Sequence, residues 1–543
     1  MDSCLSLCMI SWRVAPWLKA DALARCMPIA HAAFWCLAGL LVLLLLGRAL
    51  AGRKTRTFGS AYRIFFLLVV ALSAAILAYQ ASWQLAGFAR PEFVTFMKRY
   101  NRRPDNPAAR IVRGKIRDAR GESLAEMDPD HPGRRRYPHG PAFCHIVGYE
   151  HPFYGMSGLE FAEQDFLVGI TRDSDSERDQ FRRNLLNRDE IRGNDLTLTL
   201  QAALQEEAAA LMKGRKGAVV VMDPSTGALL VFYSAPGFDP NRMAPGLFDG
   251  GDPDARLLNR AARGLYPAGS AGKILVAAAA LEKGISPVMD CPPGGYRPNL
   301  STRAIRDHEY YEYRKQGREW SGHGRLNMRD ALAKSSNVYF SKLGVQVGGA
   351  RLREAAERCG LTRSWVIHEG PAGSLASAAA RFPALSDDDI GRTAQVSIGQ
   401  GDMLVTPLHM AMIAGAIGRN GSAWKPRLVA GTPAQALAPF FSPACARAVA
   451  GMMRNAVLHG TGRGADIPGL NVAGKTGTAQ NPHGNDHAWF VGFAPSANPR
   501  LAFAVIVEQG GYGAQAAVPV ARGILVKAQA LGLAGEGPES KRK

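Results

Sequence analysis

The sequence predicts an α+β fold, in which an antiparallel sheet is flanked by helices and preceded by a helical membrane anchor. The β-branched run Gly217–Met222, the turn residues 223–227 and the apolar run 228–233 have the pattern of a β-hairpin. Residues 270–460 instead have the alanine content and apolar periodicity of helices. Because further strand patterns follow this helical region, the sheet is expected to combine strands from both ends of the domain.

The later strand patterns cover residues 488–493 and 501–508, and a last helix is expected over 518–531. A chain of 543 residues is too long for one ordinary domain. We therefore expect three regions, namely a membrane anchor with two transmembrane helices (1–105), a short domain of polar segments (106–200) and the α+β domain (201–543).

The chain is strongly basic, with 65 lysines and arginines against 46 acidic residues and a formal net charge of +19. No zinc-finger or basic-helix motif accompanies this charge, so no nucleic-acid partner is expected. Part of the basic charge flanks apolar stretches, where it would be attracted to anionic lipid headgroups. The charge therefore indicates membrane lipids as the partner.

Two uncharged stretches, residues 29–46 and 64–83, are long enough to cross a bilayer as helices. Neither is followed by a small-residue cleavage site, which disfavours a removable signal peptide. Five basic residues lie between the stretches and indicate a cytoplasmic connection with both termini outside: Arg48, Arg53, Lys54, Arg56 and Arg63. Basic residues also follow the second stretch, so charge alone leaves the orientation open.

The eight cysteines have no metal-binding spacing, and no metal site is expected. Four of them lie within or before the first apolar stretch. The others, Cys144, Cys291, Cys359 and Cys445, are far apart in the sequence. An exported domain would permit disulfides among these four, whereas buried free thiols are an equally good interpretation.

Ser270 and Lys273 are three residues apart at the expected start of an alanine-rich helix, and therefore on one helix face. A serine hydroxyl needs an adjacent base to act as a nucleophile. A desolvated lysine at the positive end of a helix has a depressed pKa and can be that base. The alternative interpretation is that the serine caps the helix and the lysine is solvated.

Two further segments carry polar side chains in short patterns. Ser335 and Asn337 place a hydroxyl and an amide in one turn, where they could point at a common site or simply cap a helix. Lys475 to Thr478 are expected on an edge strand, where Gly477 would let a substrate backbone approach closely.

Residues 469–476 also fit G-x-x-x-x-G-K-T, the pattern of a phosphate-binding loop. Such a loop requires a strand before it and a helix after it. Gly464 and Pro468 precede the pattern, and Gly477 and Pro482 follow it, so neither element is expected. This context excludes a nucleotide site, and no cofactor is expected.

In this order and at these separations, the three segments resemble the S-x-x-K, S-x-N and K-T-G motifs of penicillin-binding proteins and serine β-lactamases. Flanking segments resemble class B penicillin-binding proteins, the monofunctional peptidoglycan D,D-transpeptidases: 113–118 with Gly121 and Leu124-Ala125, 155–160, 196–201, 397–401 with Thr406-Pro407, and 488–493. The resemblance implies a penicillin-binding transpeptidase domain over 201–543 and a short pedestal, similar to the family's dimerisation domain, over 106–200.

The resemblance also implies an acyl-transfer cycle. Ser270 would attack the D-Ala-D-Ala carbonyl of a peptidoglycan stem peptide, and Lys273 would take the serine proton. Ser335 would relay that proton to the leaving amine, Asn337 would hold the substrate amide, and Lys475 would act electrostatically on Ser335.

The third motif would bind the substrate. Thr476 and Thr478 would hold the donor carboxylate, with Gly477 between them. The backbone N–H groups of Ser270 and Thr478 would form the oxyanion hole. β-Lactams would acylate Ser270 as substrate mimics, and a polytopic SEDS-type glycan polymerase is the implied protein partner. The catalytic domain would lie outside the bacterial cytoplasmic membrane.

Some features depart from the family pattern. Gly272 and Ile274 replace an apolar residue and a proline that are usual there, and two apolar stretches replace the usual single anchor. A serine β-lactamase is disfavoured because no deacylating glutamate loop is present. A bifunctional class A protein is disfavoured because residues 84–195 are too short for a glycosyltransferase, and a D,D-carboxypeptidase would lack the pedestal motifs. A β-lactam sensor or a scaffold is the alternative function.

Overall fold

The computed structural model describes residues 64, 66–77, 111–131, 133–169, 191–248, 250–300 and 303–535. Residues 66–77 are helical. Within the described part of the chain, no helix is both long and apolar enough to cross a membrane. The predicted stretch at 29–46 lies outside the described residues, as does part of the stretch at 64–83. Residues 1–107 form one unit and residues 108–543 form a second, which contains the elements described below.

The second unit is built around a five-stranded sheet: β1 (Gly217–Met222), β2 (Leu229–Ala235), β3 (Ala473–Ala479), β4 (His487–Ala494) and β5 (Leu501–Val507). The strand order is β2-β1-β5-β4-β3, and every neighbouring pair is antiparallel. This confirms the predicted antiparallel sheet with strands from both ends of the domain.

Eight helices surround this sheet or form the region beside it: α1 (Ala202–Leu211), α2 (Lys273–Leu281), α3 (His308–Lys315), α4 (Met328–Lys334), α5 (Asn337–Val347), α6 (Pro407–Gly418), α7 (Pro443–His459) and α8 (Gly513–Ala530). Further helices and turns of 3-10 helix lie between them: Pro245–Leu247, Arg260–Arg263, Gly269–Gly272, Gly349–Arg358, Ile390–Val396 and Arg463–Ala465. Three pairs of short strands complete the domain: Tyr266–Pro267 with Leu404–Val405, Met289–Cys291 with Gly324–Leu326, and Val366–Glu369 with Ser374–Ala376.

Both faces of the sheet are covered, which explains why its strands are apolar throughout. Successive side chains of a strand point to opposite faces. In β1, Val219 and Val221 pack on the face covered by α1 and α8, whereas Val220 and Met222 pack on the face covered by α6. Each strand therefore needs apolar residues at consecutive positions.

The last helix, α8, begins at Gly513, five residues before the predicted start. The sequence prediction missed its first turn because glycine disfavours helices. The structure explains this glycine by packing, since a Cβ at Gly513 would lie 2.4 Å from the carbonyl oxygen of Trp489. Pro519 lies within the helix without ending it.

A smaller domain precedes the sheet domain and is called the pedestal (residues 111–197). Its main sheet has four short strands in the order Arg135–Arg136, Ser123–Met127, Ile116–Arg117 and Leu196–Thr197. Other short elements are Ile111–Val112 paired with Ile191–Arg192, Glu150–His151 paired with Gly155–Met156, the 3-10 turn Gly140–Ala142, and the helices Cys144–Val147, Gly158–Ala162 and Gln164–Leu167.

A buried ion cluster holds the pedestal together. Glu160 is fully buried and accepts hydrogen bonds from Arg113 Nε at 2.6 Å and Arg135 Nε at 2.7 Å. Arg113 Nη2 also donates to the Glu160 carbonyl oxygen at 2.6 Å. Two guanidinium groups thus share one carboxylate without water, and the cluster ties together three segments that are distant in the sequence.

Asp118 joins the pedestal to the sheet domain. Its buried carboxylate accepts a hydrogen bond from the backbone N–H of Ala202, the first residue of α1, at 2.9 Å. A negative charge is favourable at the N-terminus of a helix.

The four cysteines Cys144, Cys291, Cys359 and Cys445 are buried free thiols, which decides between the two interpretations that the sequence left open.

We expect Glu160→Ala to destabilise the protein by about 3–5 kcal/mol, because it leaves two buried guanidinium groups without a countercharge. The measurement is thermal unfolding of the full chain in detergent. Glu122→Ala is the matched control, since the Glu122 side chain is 53% exposed and faces only His139, at 3.5 Å. Equal melting temperatures for the two variants would contradict a structural role for the cluster.

Candidate active site

Ser270 lies in a turn of 3-10 helix, Gly269–Gly272, that leads directly into α2 at Lys273. Gly269 adopts a left-handed backbone conformation, with φ of 52°, and its N–H donates to the Gly399 carbonyl oxygen at 2.8 Å. A Cβ at Gly269 would lie 2.5 Å from the carbonyl oxygen of Thr478. Glycine at this position therefore allows the serine turn to lie against β3.

Lys273 is fully buried in the first turn of α2, and its amine lies within 3.0 Å of three acceptor groups. The Nζ atom lies 3.0 Å from Ser270 Oγ, 2.6 Å from the Ser335 carbonyl oxygen and 2.7 Å from Asn337 Oδ1. The Asn337 amide is held by its Nδ2, which donates to the Arg306 carbonyl oxygen at 3.0 Å. Its Oδ1 therefore faces the lysine as an acceptor.

This arrangement can accommodate a neutral amine that acts as a base. Burial lowers the pKa of Lys273 to about 7, against an opposing effect of the negative charges of Asp307 and Glu309. A neutral amine has two N–H groups, and two acceptors, the Ser335 carbonyl and Asn337 Oδ1, are available to them. Its lone pair is then free to accept the hydrogen bond from the Ser270 hydroxyl, as a general base requires.

Ser335 lies in the turn between α4 and α5. It adopts a left-handed conformation with φ of 61°, directly after the last residue of α4. Ser336 then caps α5 by accepting from the Tyr339 N–H at 3.1 Å. The sequence left open whether this segment is a helix cap or a turn that presents two side chains, and the structure shows that it is both.

A second buried lysine approaches the same serine. Lys475 Nζ, on β3, lies 2.8 Å from Ser335 Oγ and donates to the Thr476 carbonyl oxygen at 2.9 Å. Lys273 Nζ lies 3.4 Å from the same hydroxyl. Burial, together with the charge of Lys273, holds the pKa of Lys475 well below its usual value. The Ser335 hydroxyl is thus placed between two amines that cannot both be charged without a large cost.

The strand β3 is at the edge of the sheet and continues through Thr476 to Ala479 without a following helix. This confirms that residues 469–476 do not form a phosphate-binding loop. Gly477 lies at a crowded position, where a Cβ would be 2.9 Å from Trp489 Cβ and 3.0 Å from the Ala271 backbone nitrogen. The glycine lets the serine turn and the strand approach each other.

A cleft of about 350 Å³ opens between β3 and the helical region. Five of the predicted site residues line it, namely Ser270, Ser335, Asn337, Thr476 and Thr478. Lys273 and Lys475 are buried behind its wall. The structure therefore brings all three sequence motifs to one place, whereas the roles assigned to their residues, including the oxyanion hole of Ser270 and Thr478, stay predictions.

The sequence prediction missed several residues of this site. Thr461, which follows α7, lies with its Oγ1 2.5 Å from Thr476 Oγ1. Tyr512 also lines the cleft, and its hydroxyl donates to Glu312 Oε1 at 3.1 Å. Asp307 lies behind the Ser335 turn. No local pattern marks these residues, because each reaches the site through a contact that is distant in the sequence.

The described residues contain no group of three or more His, Cys, Asp and Glu side chains arranged to hold a metal ion. The side chains gathered at the cleft are a hydroxyl beside an amine, a second hydroxyl between two amines, and two threonine hydroxyls.

Two family descriptions match the chain. Residues 217–526 match the penicillin binding protein transpeptidase domain, and residues 113–195 match the penicillin binding protein A dimerisation domain. Over 447 residues, the chain is 31% identical to the peptidoglycan D,D-transpeptidase MrdA of Acinetobacter baumannii, a match that covers 70% of this chain and 64% of that relative. It is 31% identical over 442 residues to the peptidoglycan D,D-transpeptidase PbpA of Mycolicibacterium smegmatis, with 73% of this chain and 84% of that relative covered.

Solved structures are similar over most of the described chain. Penicillin-binding protein A from M. tuberculosis, as a ceftriaxone acyl-enzyme complex, superposes with a TM-score of 0.69 at 27% identity and covers 78% of this chain and 99% of its own. The D,D-transpeptidase domain of a peptidoglycan glycosyltransferase from Eggerthella lenta gives a TM-score of 0.65 at 31% identity, with 78% of this chain and 99% of that chain covered.

The state of Lys273 predicts how acylation depends on pH. Below its pKa of about 7 the amine is protonated and cannot accept the Ser270 proton. The second-order rate of acylation by a fluorescent penicillin should therefore fall about tenfold for each pH unit on the acid side and level off above the pKa. The rate is measured across roughly pH 5 to 9, with the melting temperature followed over the same range. A flat profile in folded protein would contradict the role of Lys273 as the base.

Proposed function

The chain belongs to the penicillin-binding protein family of peptidoglycan D,D-transpeptidases, and on that premise we propose that it cross-links stem peptides through an acyl-enzyme on Ser270. The observation that carries this proposal is the contact between Lys273 Nζ and Ser270 Oγ at 3.0 Å, with both remaining N–H positions of a neutral amine occupied by acceptors. A serine and a base so arranged form an activated nucleophile.

In the proposed acylation step, Ser270 Oγ attacks the carbonyl carbon of the penultimate D-Ala, while Lys273 takes the hydroxyl proton. The C–N bond to the terminal D-Ala then breaks, and its amine leaves with a proton. Ser335 Oγ, which lies 3.4 Å from Lys273 Nζ and 2.8 Å from Lys475 Nζ, is the group that supplies this proton. The lysine that holds the serine proton replaces it in turn.

The second half of the reaction reverses these transfers. An acceptor amine enters from the cleft, loses its proton to Lys273 through Ser335, and attacks the ester carbonyl. Ser270 leaves with a proton and is ready for another cycle. The backbone N–H groups of Ser270 and Thr478 would stabilise both tetrahedral intermediates, an effect of about 3 kcal/mol for each donor.

The donor substrate would bind along β3. Thr476 and Thr478 line the cleft and would hold the terminal carboxylate, with Gly477 between them, while Asn337 would hold the peptide amide. Because β3 is an edge strand, its outer backbone groups are available to an extended peptide. β-Lactams would acylate the same serine, as the relative from M. tuberculosis is acylated by ceftriaxone.

Membrane attachment is part of the proposal. The two uncharged stretches 29–46 and 64–83 would anchor the chain in the bacterial cytoplasmic membrane, with the catalytic domain outside. A polytopic SEDS-type glycan polymerase is the proposed partner in that membrane, and anionic lipids would contact the basic residues beside the stretches. A β-lactam sensor or scaffold is a weaker alternative, because a scaffold would not need the lysine that contacts Ser270.

Replacing the nucleophile tests the function directly. Ser270→Ala should abolish covalent labelling by a fluorescent penicillin without changing the melting temperature, because the side chain is small and no structural contact depends on its hydroxyl. Ser341→Ala is the matched control, since that buried serine donates only to carbonyl oxygens of its own helix α5. Labelling of Ser270→Ala at the level of the control would refute the assignment.

Thiol accessibility tests the topology. In a chain with its four N-terminal cysteines replaced by serine, Ser60→Cys should be protected in spheroplasts from a reagent that does not cross the cytoplasmic membrane. Thr432→Cys, at an exposed position of the sheet domain, should react readily. The opposite pattern would place the catalytic domain in the cytoplasm and contradict the proposed location.

A further inference from the structure

Asp307 is a buried carboxylate that lies directly behind the turn carrying Ser335 and Asn337. The Asp307 side chain is 1% exposed, and the residue lies immediately before His308, the first residue of α3. It accepts hydrogen bonds from Ser336 Oγ at 3.1 Å, from the Val338 N–H at 3.1 Å and from the Asn337 N–H. One side chain from another segment therefore holds the residue that caps α5 and the first two residues of that helix.

The N-terminus of α5 explains why a carboxylate suits this place. The first N–H groups of a helix have no partner within the helix, and a negative charge is stabilised there. Asn337 and Val338 are the first two residues of α5. A buried carboxylate needs such donors, because an unpaired buried charge is very costly. The N–H groups at the start of α5 thus donate hydrogen bonds to the Asp307 carboxylate, and the carboxylate gains the donors that it needs when buried.

Asp307 does not line the cleft, so it cannot touch the substrate. Its influence on the reaction passes through the turn. The same turn places the Ser335 carbonyl oxygen 2.6 Å and Asn337 Oδ1 2.7 Å from Lys273 Nζ, and a small rotation of α5 would move both acceptors. Displacements of about 1 Å in a catalytic arrangement cost about 100-fold in rate.

We propose that Asp307 is a positioning residue of this active site: it fixes the turn that presents Ser335 and Asn337 to Lys273, and its negative charge acts on the buried amine. The inference rests on the proposed transpeptidase function and deepens it. No sequence motif contains this residue, and its role follows from the three hydrogen bonds to α5.

Several other polar groups surround Asp307 and the turn that it contacts. His323 Nε2 lies 3.9 Å from Asp307 Oδ2 and 3.5 Å from Glu309 Oε2, and the Cys291 thiol contacts Ser336 Oγ at 3.8 Å. The Arg306 guanidinium stacks over the Tyr310 ring at 4.5 Å. On the far side of the turn stand the amines of Lys273 and Lys475.

The charge of Asp307 has a measurable effect on the base. It raises the pKa of Lys273, in opposition to the larger effect of burial. Removing the charge should therefore lower that pKa further. A lower pKa keeps the amine neutral in more acidic solution, so the acid-side midpoint of the acylation profile should move to lower pH. A purely structural loss would instead reduce the rate by one factor at every pH.

The test compares Asp307→Asn, Asp307→Glu and Asp307→Ala in the full chain, using acylation by a fluorescent penicillin across roughly pH 5 to 9. Asp307→Asn keeps an acceptor for the two N–H groups but loses the charge. We expect its rate above the midpoint to stay within about tenfold of wild type and its midpoint to fall by about one pH unit. Asp307→Ala should show the same shift of the midpoint and, because it also loses the acceptor, a rate about 100-fold lower than wild type above the midpoint.

Asp307→Glu separates charge from position, because it keeps the charge on a longer side chain. It should keep the wild-type midpoint and lose rate, which preserves the test if the asparagine variant is unstable. Asp330→Asn is the control: this exposed carboxylate at the start of α4 bonds only to Asn327. Its profile should match wild type.

Two outcomes would overturn the inference while leaving the proposed function intact: a wild-type rate and midpoint in Asp307→Asn, or equal midpoints in all folded variants. A wild-type protein that no penicillin labels would instead overturn the proposed function and this inference together. Melting temperatures identify variants that are folded, so that a loss of rate is assigned to the active site.

Discussion

The active site depends on one constraint, the burial of two lysine amines beside a single serine hydroxyl. Neither Lys273 nor Lys475 has any exposed surface, and Ser335 Oγ lies within 3.4 Å of the first and 2.8 Å of the second. Two ammonium ions in such a place would repel each other and lack water, so at least one amine must be neutral. A lysine that is neutral near physiological pH is a base, and this is the property that would activate Ser270 in the proposed reaction. The surrounding helices provide the burial, and the carboxylate of Asp307 limits how far the pKa of Lys273 falls.

The rest of the fold can be understood as the support of that arrangement. Ser270 and Lys273 come from the turn and first residue that begin α2, Ser335 from the end of α4 and Lys475 from β3. These three segments are distant in the sequence and meet only in the folded chain. Gly269 and Gly477 allow the serine turn and the edge strand to come into contact, since a Cβ at Gly269 would overlap the Thr478 backbone and one at Gly477 would lie 2.9 Å from Trp489 Cβ. The pedestal contains a comparable buried group of charges, in which the Glu160 carboxylate pairs with two arginines.

Short-range features of this site were predictable from the sequence, whereas long-range contacts were not. The spacing of Ser270 and Lys273 reflects one helical turn, and the alternation of buried side chains identifies β1 and its hairpin partner. Asp307 could not be found in this way, because its partners lie about thirty residues further along the chain and meet it only after folding. The start of α8 at Gly513 was missed for a related reason. In the sequence alone, a glycine that packing requires cannot be distinguished from a glycine that ends a helix.

The buried free thiols of the described domains have a practical consequence. No covalent cross-link closes a loop in these domains, so their stability rests on packing and hydrogen bonds and is independent of the redox potential of the surroundings. Cys144, Cys291, Cys359 and Cys445 are buried, which shields them from reagents in solution. Modification of these thiols must wait for the chain around each one to open. The protein therefore carries four internal reporters of its own local and global opening, distributed over both domains, whose labelling rates can be followed without any engineered probe.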